Sequence, residues 1–394
     1  MSTDVLIVGG GIGGLTAALC LARAGSHVRL FEQASDFGEI GAGIQLSPNC
    51  TRVLHHLGLA PALARIAFLP EGTEMRHWRS GELISSNALG AQAIERWGFP
   101  YYHVHRADLL RVLVDAARAE PAIELNTSAR ASGFSDREDR IVLDVNGDAI
   151  GGDALVGADG IHSVVRTQLF GPERPTFTGC VAWRALVPVE RLPKGLVRPV
   201  TSVWWGPHKH FVHYYVRAGA LVNCVCVVEK TGWEVEAWNV LGEHAELARD
   251  FHGWHSTVAT LIDSVDRDAC FKWALFDRPP MSSWSRGRAT LLGDACHPTL
   301  PFMAQGAAMA IEDGAVLAAS LADGADVAAS LARYEQQRRA RTARIQSGSR
   351  RNARVFHLSG IRAWLRNRAL RAAPGSAMPY DELYRYDALT AAET

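Results

Sequence analysis

Residues 5–14 read Val5-Leu6-Ile7-Val8-Gly9-Gly10-Gly11-Ile12-Gly13-Gly14, an apolar run that ends in a cluster of glycines. Four consecutive apolar residues suit a short strand buried on both faces of a parallel sheet. The glycines satisfy G-x-G-x-x-G at Gly9, Gly11 and Gly14. Leu15 to Ala22 continues as a helix of small and apolar residues that Gly25 stops. Val28-Arg29-Leu30-Phe31-Glu32 then supplies a second strand with an acid at its end. Each part has a physical task. The glycines allow a tight turn and a close backbone approach to a pyrophosphate, the helix N-terminus favours its charge, and the carboxylate is placed for a ribose hydroxyl. A glycine motif alone is weak evidence; here strand, helix and acid accompany it. Glu32 in place of an arginine suits FAD or NAD and disfavours the 2′-phosphate of NADP at this site.

Outward from this turn, composition sets the bounds. A chain of 394 residues, 48% hydrophobic and 21% charged, has the make-up of one large or two joined globular domains. Forty-one basic residues balance forty-one acidic ones, which excludes nucleic acid or anionic lipid held by bulk charge. Seven cysteines, an odd number without C-x-x-C, point to neither a disulfide framework nor a metal site and fit a reducing compartment. No basic n-region opens the chain, and no stretch approaches the ~18–20 apolar residues of a spanning helix. The expectation is a cytoplasmic protein without a transmembrane segment. Thirty-six glycines hint at backbone close to a ligand, and eleven tryptophans at aromatic walls.

Further along, Gly38-Glu39-Ile40-Gly41-Ala42-Gly43-Ile44-Gln45 is a second glycine-rich crossing, and Ser47-Pro48 reads as a helix start. Arg106 precedes a helical pattern at Leu109, Leu110 and Leu113. Asn146-Gly147 predicts a hairpin between Ile141–Val145 and the Ala154–Val156 region, which leads into Gly157-Ala158-Asp159-Gly160. Residues from about 175 to 284 alternate apolar and polar and hold most of the tryptophans, so they read as an antiparallel sheet. Ala289-Thr290-Leu291-Leu292 returns as a strand before Gly293-Asp294, and Gly306 opens a long helix whose N-terminus points back to that loop. The basic run after Leu331, including Arg338, Arg339, Arg341 and Arg350, reads as a solvated helix face. The fold class is therefore α/β (α+β): a discontinuous Rossmann-like domain over 1–75, 102–174 and 286–350, an inserted antiparallel-sheet substrate domain over 76–101 and 175–285, and a C-terminal helical segment over 351–394.

Three separated segments together resemble the class A flavoprotein aromatic hydroxylases: Gly9–Gly14 with Glu32, Gly157-Ala158-Asp159-Gly160 through Arg166, and Gly293-Asp294 with His297-Pro298 and Gln305-Gly306. Gly41–Asn49, Gly179–Arg184, His210–Tyr214 and Asn352–Gly360 look most like the salicylate hydroxylase and 3-hydroxybenzoate 6-hydroxylase branch. The resemblance implies FAD, held by Gly9, Gly11, Ile12, Gly13, Gly14, Glu32, Gln33, Gly43, Gln45, Arg106, Ala129, Asp159, Gly293, Asp294, Gly306 and Ala307. It also implies that NADH or NADPH reduces the flavin and that O₂ adds to give a flavin hydroperoxide, which attacks an electron-rich ring. Gln45 departs from the catalytic His of related pyridine-ring hydroxylases and counts against a hydroxynicotinate substrate. Cys296 stands where the family usually has Ala; it reads as a space-filler ahead of a redox partner.

The substrate expected is a small phenolic acid of hydroxybenzoate or salicylate type, decarboxylated if the acid sits ortho. Peroxide attack is faster on a phenolate, so a group should take the phenol proton. In His210-Phe211-Val212-His213-Tyr214-Tyr215 residues two apart share a face, pairing His210 with Tyr214 and His213 with Tyr215. The resemblance names His210 as proton acceptor, with Tyr214 as a second candidate; as strand residues alone they could equally be packing groups. Pro298 and Gln305 would flank the ring system, and the helix start at Gly306-Ala307 would face the negative charge of reduced flavin. Arg184 could pair a substrate carboxylate or bridge domains. Trp183, Trp204, Trp205, Cys224 and Cys226 read as core. Rival readings are a hydroxylase of another heteroaromatic or polyketide phenol, and a non-catalytic FAD-binding redox sensor. A homodimer is compatible with the sequence, and no nucleic-acid partner is expected.

Overall fold

The computed structural model describes residues 2–38, 42–137, 139–230, 232, 240–322, 326–373 and 380–390. The opening strand, Asp4–Val8, lies in a five-stranded sheet ordered Ala289–Leu291, Ala154–Gly157, Asp4–Val8, His27–Phe31 and Ile123–Asn126, with every neighbouring pair parallel. Val5, Leu6 and Ile7 are fully buried, as a strand covered on both faces requires. The helix Ile12–Arg23 covers one face beside the helix Gly306–Ala322. Their backbones meet at Gly314, where a Cβ would stand 3.0 Å from the Cα of Ala17. The small residues of both helices permit that approach.

The hairpin differs from the sequence reading. Asn146 and Gly147 do form its turn, both at positive φ (54° and 93°), but the returning strand is Asp148–Gly152. Ala154–Gly157 instead pairs parallel with Asp4–Val8. A two-residue turn of this kind obliges pairing to resume at once, whereas the apolar run Ala154–Val156 begins only after Asp148–Gly152.

The second large sheet has eight strands: Val240–Leu241, Phe271–Asp277, Thr176–Pro188, Leu221–Glu229, Lys209–Val216, Val200–Gly206, Gly72–His77 and Leu83–Ala88. It is antiparallel as expected except at one pair, Val200–Gly206 with Gly72–His77, which runs parallel. Trp183 and Trp205 are buried in its two faces at 0% and 1% exposure. Trp233 and Trp238, and Glu39 to Gly41 of the second glycine-rich crossing, lie outside the described residues.

A 30-residue helix, Val327–Phe356, runs unbroken across position 350. The basic run along it is not simply a solvated face. Arg338 is fully buried, its Nε 2.7 Å from Asp313 and an Nη 2.6 Å from Glu312, both on the helix Gly306–Ala322. A guanidinium is tolerated inside a protein only when paired and hydrogen-bonded in this way. Among the described residues no helix is long and apolar enough to cross a membrane.

Candidate active site

Between the glycine turn and the eight-stranded sheet lies a cavity of about 380 Å³, within the range of small-molecule sites. Gly11, Ile12 and Gly13 form one end. Gly9 has φ +106°, and a Cβ there would sit 2.4 Å from the carbonyl oxygen of Ala158. At Gly14 a Cβ would lie 2.0 Å from the carbonyl oxygen of Gly9. At Gly11, by contrast, nothing lies within 4 Å, and this residue caps the helix Ile12–Arg23 without a side-chain hydrogen bond. Two glycines are thus demanded by the protein's own packing, and one faces open space at an uncapped helix N-terminus. These residues fit a dinucleotide pyrophosphate.

Glu32 follows the strand His27–Phe31 beside this turn, accepting from the amides of Gly10 (2.8 Å) and Ala34 (2.9 Å). Ala129 donates its amide to the Glu32 carbonyl at 2.9 Å; Glu32, Ala129 and the exposed Gln33 all stand outside the cavity lining. Asp159 is also off the lining. Its Oδ2 accepts from the amides of Val164 (2.8 Å) and Val165 (3.3 Å), so it takes the first amides of the helix Val164–Phe170 beside the N-cap Ser163. Its neighbours Ala158, Gly160 and Ile161 line the cavity instead. Arg106, Gly293, Asp294, Gly306 and Ala307 complete this wall. Asp294 is enclosed by protein yet open to the cavity; burial raises its carboxyl, and His297 and Arg106 oppose the shift.

On the opposite wall, His210, Val212 and Tyr214 project from one face of Lys209–Val216, as the alternation predicts. His213 turns the other way and stacks near Trp204 at 6.2 Å; Tyr215 donates its hydroxyl to the Val197 carbonyl at 2.9 Å. Burial, with a smaller contribution from His357, holds the His210 ring well below the usual imidazole range, so it rests neutral. Burial pushes the Tyr214 hydroxyl up, with Arg184 and a hydrogen bond to Gln45 acting against it. Gln45 also accepts from the Tyr101 hydroxyl at 2.6 Å. Gly43 permits this contact between crossing and sheet: its amide donates to Asn223 Oδ1 at 2.8 Å, and a Cβ would lie 2.7 Å from the Tyr214 ring.

Arg184 lines the same cavity with its guanidinium 4.5 Å from the centre of the Trp273 ring. Pro298 and Gln305 lie between the two walls. The Gln305 amide is held by the segment after the crossing, donating to Ser47 Oγ (3.0 Å) and accepting from Asn49 Nδ2 (3.1 Å). Trp273 and Leu275 also line the cavity and belong to no motif legible in the sequence. Their spacing of two on a strand paired with Thr176–Pro188 was the available signal, but nothing local tells which face of that strand meets the cavity. Cys296 is fully buried and off the lining, its thiol pushed well up by burial, which accords with a space-filler. Cys224 and Cys226 are likewise buried, and the described residues contain no cluster able to hold a metal ion.

Comparison with known proteins places this geometry among flavoproteins. Residues 2–349 match the family model described as an FAD binding domain. A 3-amino-4-hydroxybenzoate 2-monooxygenase of Streptomyces platensis is 41% identical over 372 residues, covering 94% of this chain and 92% of the relative. A 3-hydroxybenzoate 6-hydroxylase of Polaromonas naphthalenivorans is 40% identical over 366 residues, covering 92% and 90%. Among solved structures, Klebsiella pneumoniae HpxO complexed with FAD and uric acid superposes with a TM-score of 0.86 at 28% identity, covering 98% of this chain and 97% of that one.

Proposed function

This chain belongs to the FAD binding domain family, and from that premise we propose that it is an FAD-dependent monooxygenase hydroxylating a small phenolic acid of the hydroxybenzoate type. One observation carries the reading: a single cavity has a pyrophosphate-ready glycine turn and helix start on one wall and His210, Tyr214 and Arg184 on the other. FAD bound there would supply the oxygen-transfer chemistry, with NADH or NADPH as reductant, one atom of O₂ going to the ring and the other to water.

The protein's own part is binding, orientation and proton handling. Gly11 and the helix start behind it take the pyrophosphate, Glu32 a ribose, and Asp294 the polar chain near the ring system. The N-terminus of Gly306–Ala322 sets partial positive charge against the ring where negative charge gathers. Arg184 pairs the substrate carboxylate, Trp273 and Leu275 wall off water, and neutral His210 accepts the phenol proton while Tyr214 and Gln45 hold the ring oxygen. A cytoplasmic setting belongs to the same proposal, since all seven cysteines are free and buried.

The test is direct. The purified protein is reconstituted with FAD, and oxygen-dependent NADH and NADPH oxidation is followed with a panel of hydroxybenzoates. Acceleration by a phenolic acid, with the hydroxylated product recovered, is expected. Bound FAD whose reduction no aromatic compound accelerates would leave a redox sensor as the better account; absence of FAD binding would overturn both.

A further inference from the structure

We propose that His357 and Glu229 form a proton outlet from His210 to the protein surface, making the end of the Val327–Phe356 helix part of the hydroxylation machinery. The proposal rests on His210 being the group that takes the phenol proton. His210 Nδ1 lies 2.8 Å from His357 Nε2. His357 Nδ1 lies 2.9 Å from Glu229 Oε1, and Glu229 Oε2 lies 2.7 Å from His208 Nδ1. Side-chain exposure climbs along the series, from 3% at His357 through 42% at Glu229 to 66% at His208. Three hydrogen bonds therefore connect a cavity wall to solvent.

The surroundings confine the path. Phe302 and Phe356 stand 5.1 and 5.4 Å from His210, ring centre to ring centre, and enclose the first link in apolar surface. Among the described residues, the ionisable groups acting on His357 are Glu229 and His208, and Cys180 stands opposite Glu229 on the neighbouring strand. The backbone fixes the outer links: the His208 amide donates to the His357 carbonyl at 3.2 Å and the Glu229 amide to the His208 carbonyl at 2.9 Å. His208 is held at φ +60° to do so, a conformation uncommon for a residue other than glycine.

The physical need is plain. A buried imidazole alone would have to keep a positive charge away from water, which burial opposes. Because Nδ1 is committed to His357, Nε2 is the ring nitrogen left for the substrate. The phenol O–H breaks and its proton joins His210 Nε2; the Nδ1 proton passes to His357 Nε2; the His357 Nδ1 proton passes to Glu229 and leaves to water. The cavity then holds a phenolate and two neutral imidazoles, and one proton is in solution. Reverse passage, as the product oxygen is protonated, restores both starting tautomers. His357 and Glu229 never touch the substrate and act only through His210.

The experiment uses the FAD-bound protein and 3-hydroxy-4-nitrobenzoate, whose phenolate absorbs visible light, so that ionisation on binding is read without turnover. In stopped flow, H357Q should bind the probe with affinity close to wild type but ionise it about tenfold to a hundredfold more slowly. E229Q should slow the same phase, and H210N should abolish it. Ionisation at the wild-type rate in H357Q overturns the outlet. An H210N protein that ionises the probe normally overturns instead the assignment of His210 on which the outlet rests. Should H357Q fail to retain FAD, E229Q decides, because its residue is half-exposed and distant from the flavin wall: a wild-type ionisation rate there also overturns the outlet.

Discussion

His210 is a base without water. Its neutrality at rest leaves a lone pair for the phenol proton, and its burial makes any lasting positive charge costly. Replacing it by Ala should slow hydroxylation by about 10²–10⁴-fold and raise wasteful peroxide release while FAD stays bound, as checked by the ratio of product formed to NAD(P)H consumed. Coupling unchanged across pH would count against the role. Tyr214→Phe removes one hydroxyl that meets Gln45; a loss of about 0.5–1.5 kcal/mol of transition-state binding, read from kcat/KM, is expected. At this scale the sequence was informative wherever one strand's alternation sufficed, as for His210 with Tyr214. It was silent where a contact joins distant segments. His357 lies 147 positions from His210, and no local periodicity relates them.

The glycine turn is the element on which cofactor binding depends, and its glycines have separable jobs. Gly11→Ala adds a methyl into open space, so thermal stability without FAD should be close to wild type while FAD affinity falls about tenfold or more, equivalent to ~1.4 kcal/mol. Gly14→Ala drives a methyl against the Gly9 carbonyl and should cost about 1–3 kcal/mol of stability itself. Calorimetric FAD titration beside thermal unfolding of both variants distinguishes the two outcomes. This turn was legible because each of its constraints is local. The hairpin after it was only half legible: Asn146-Gly147 announced the turn, but Asp148–Gly152 lacks the apolar pattern that would announce a strand. Its pairing is dictated by its partner.

Across the whole molecule, zero net charge conceals a concentrated ionic centre. Arg338, Glu312, Asp313 and His297 are buried together, with Arg341 bidentate to Glu312 at 2.9 and 2.8 Å. Composition could not reveal this, because a basic helix face looks the same whether water or carboxylates meet it. Arg338→Met should destabilise the protein by about 3–5 kcal/mol in urea unfolding, since two carboxylates lose a buried partner. Burial raises Glu312 and Asp313, but Arg341 and Arg338 for the first, and His297 and Arg338 for the second, outweigh it and leave both below their ordinary values of 4.5 and 3.8. The stabilisation is therefore complete above those values and is lost as pH falls through the lower folded-state ones. Wild type should lose stability steeply in that acid range and Arg338→Met less so, as urea titrations at stepped pH would record.

That centre sits beneath a cavity assigned to oxygen transfer, and isotope labelling tests the assignment most directly. The FAD-bound protein, NADH or NADPH and the hydroxybenzoate that best accelerates their oxidation are incubated under ¹⁸O₂, and the product is weighed by mass spectrometry. One ¹⁸O atom in each new ring hydroxyl is the predicted result. Consumption of reductant with only peroxide formed, or a hydroxyl drawn from water, would contradict it.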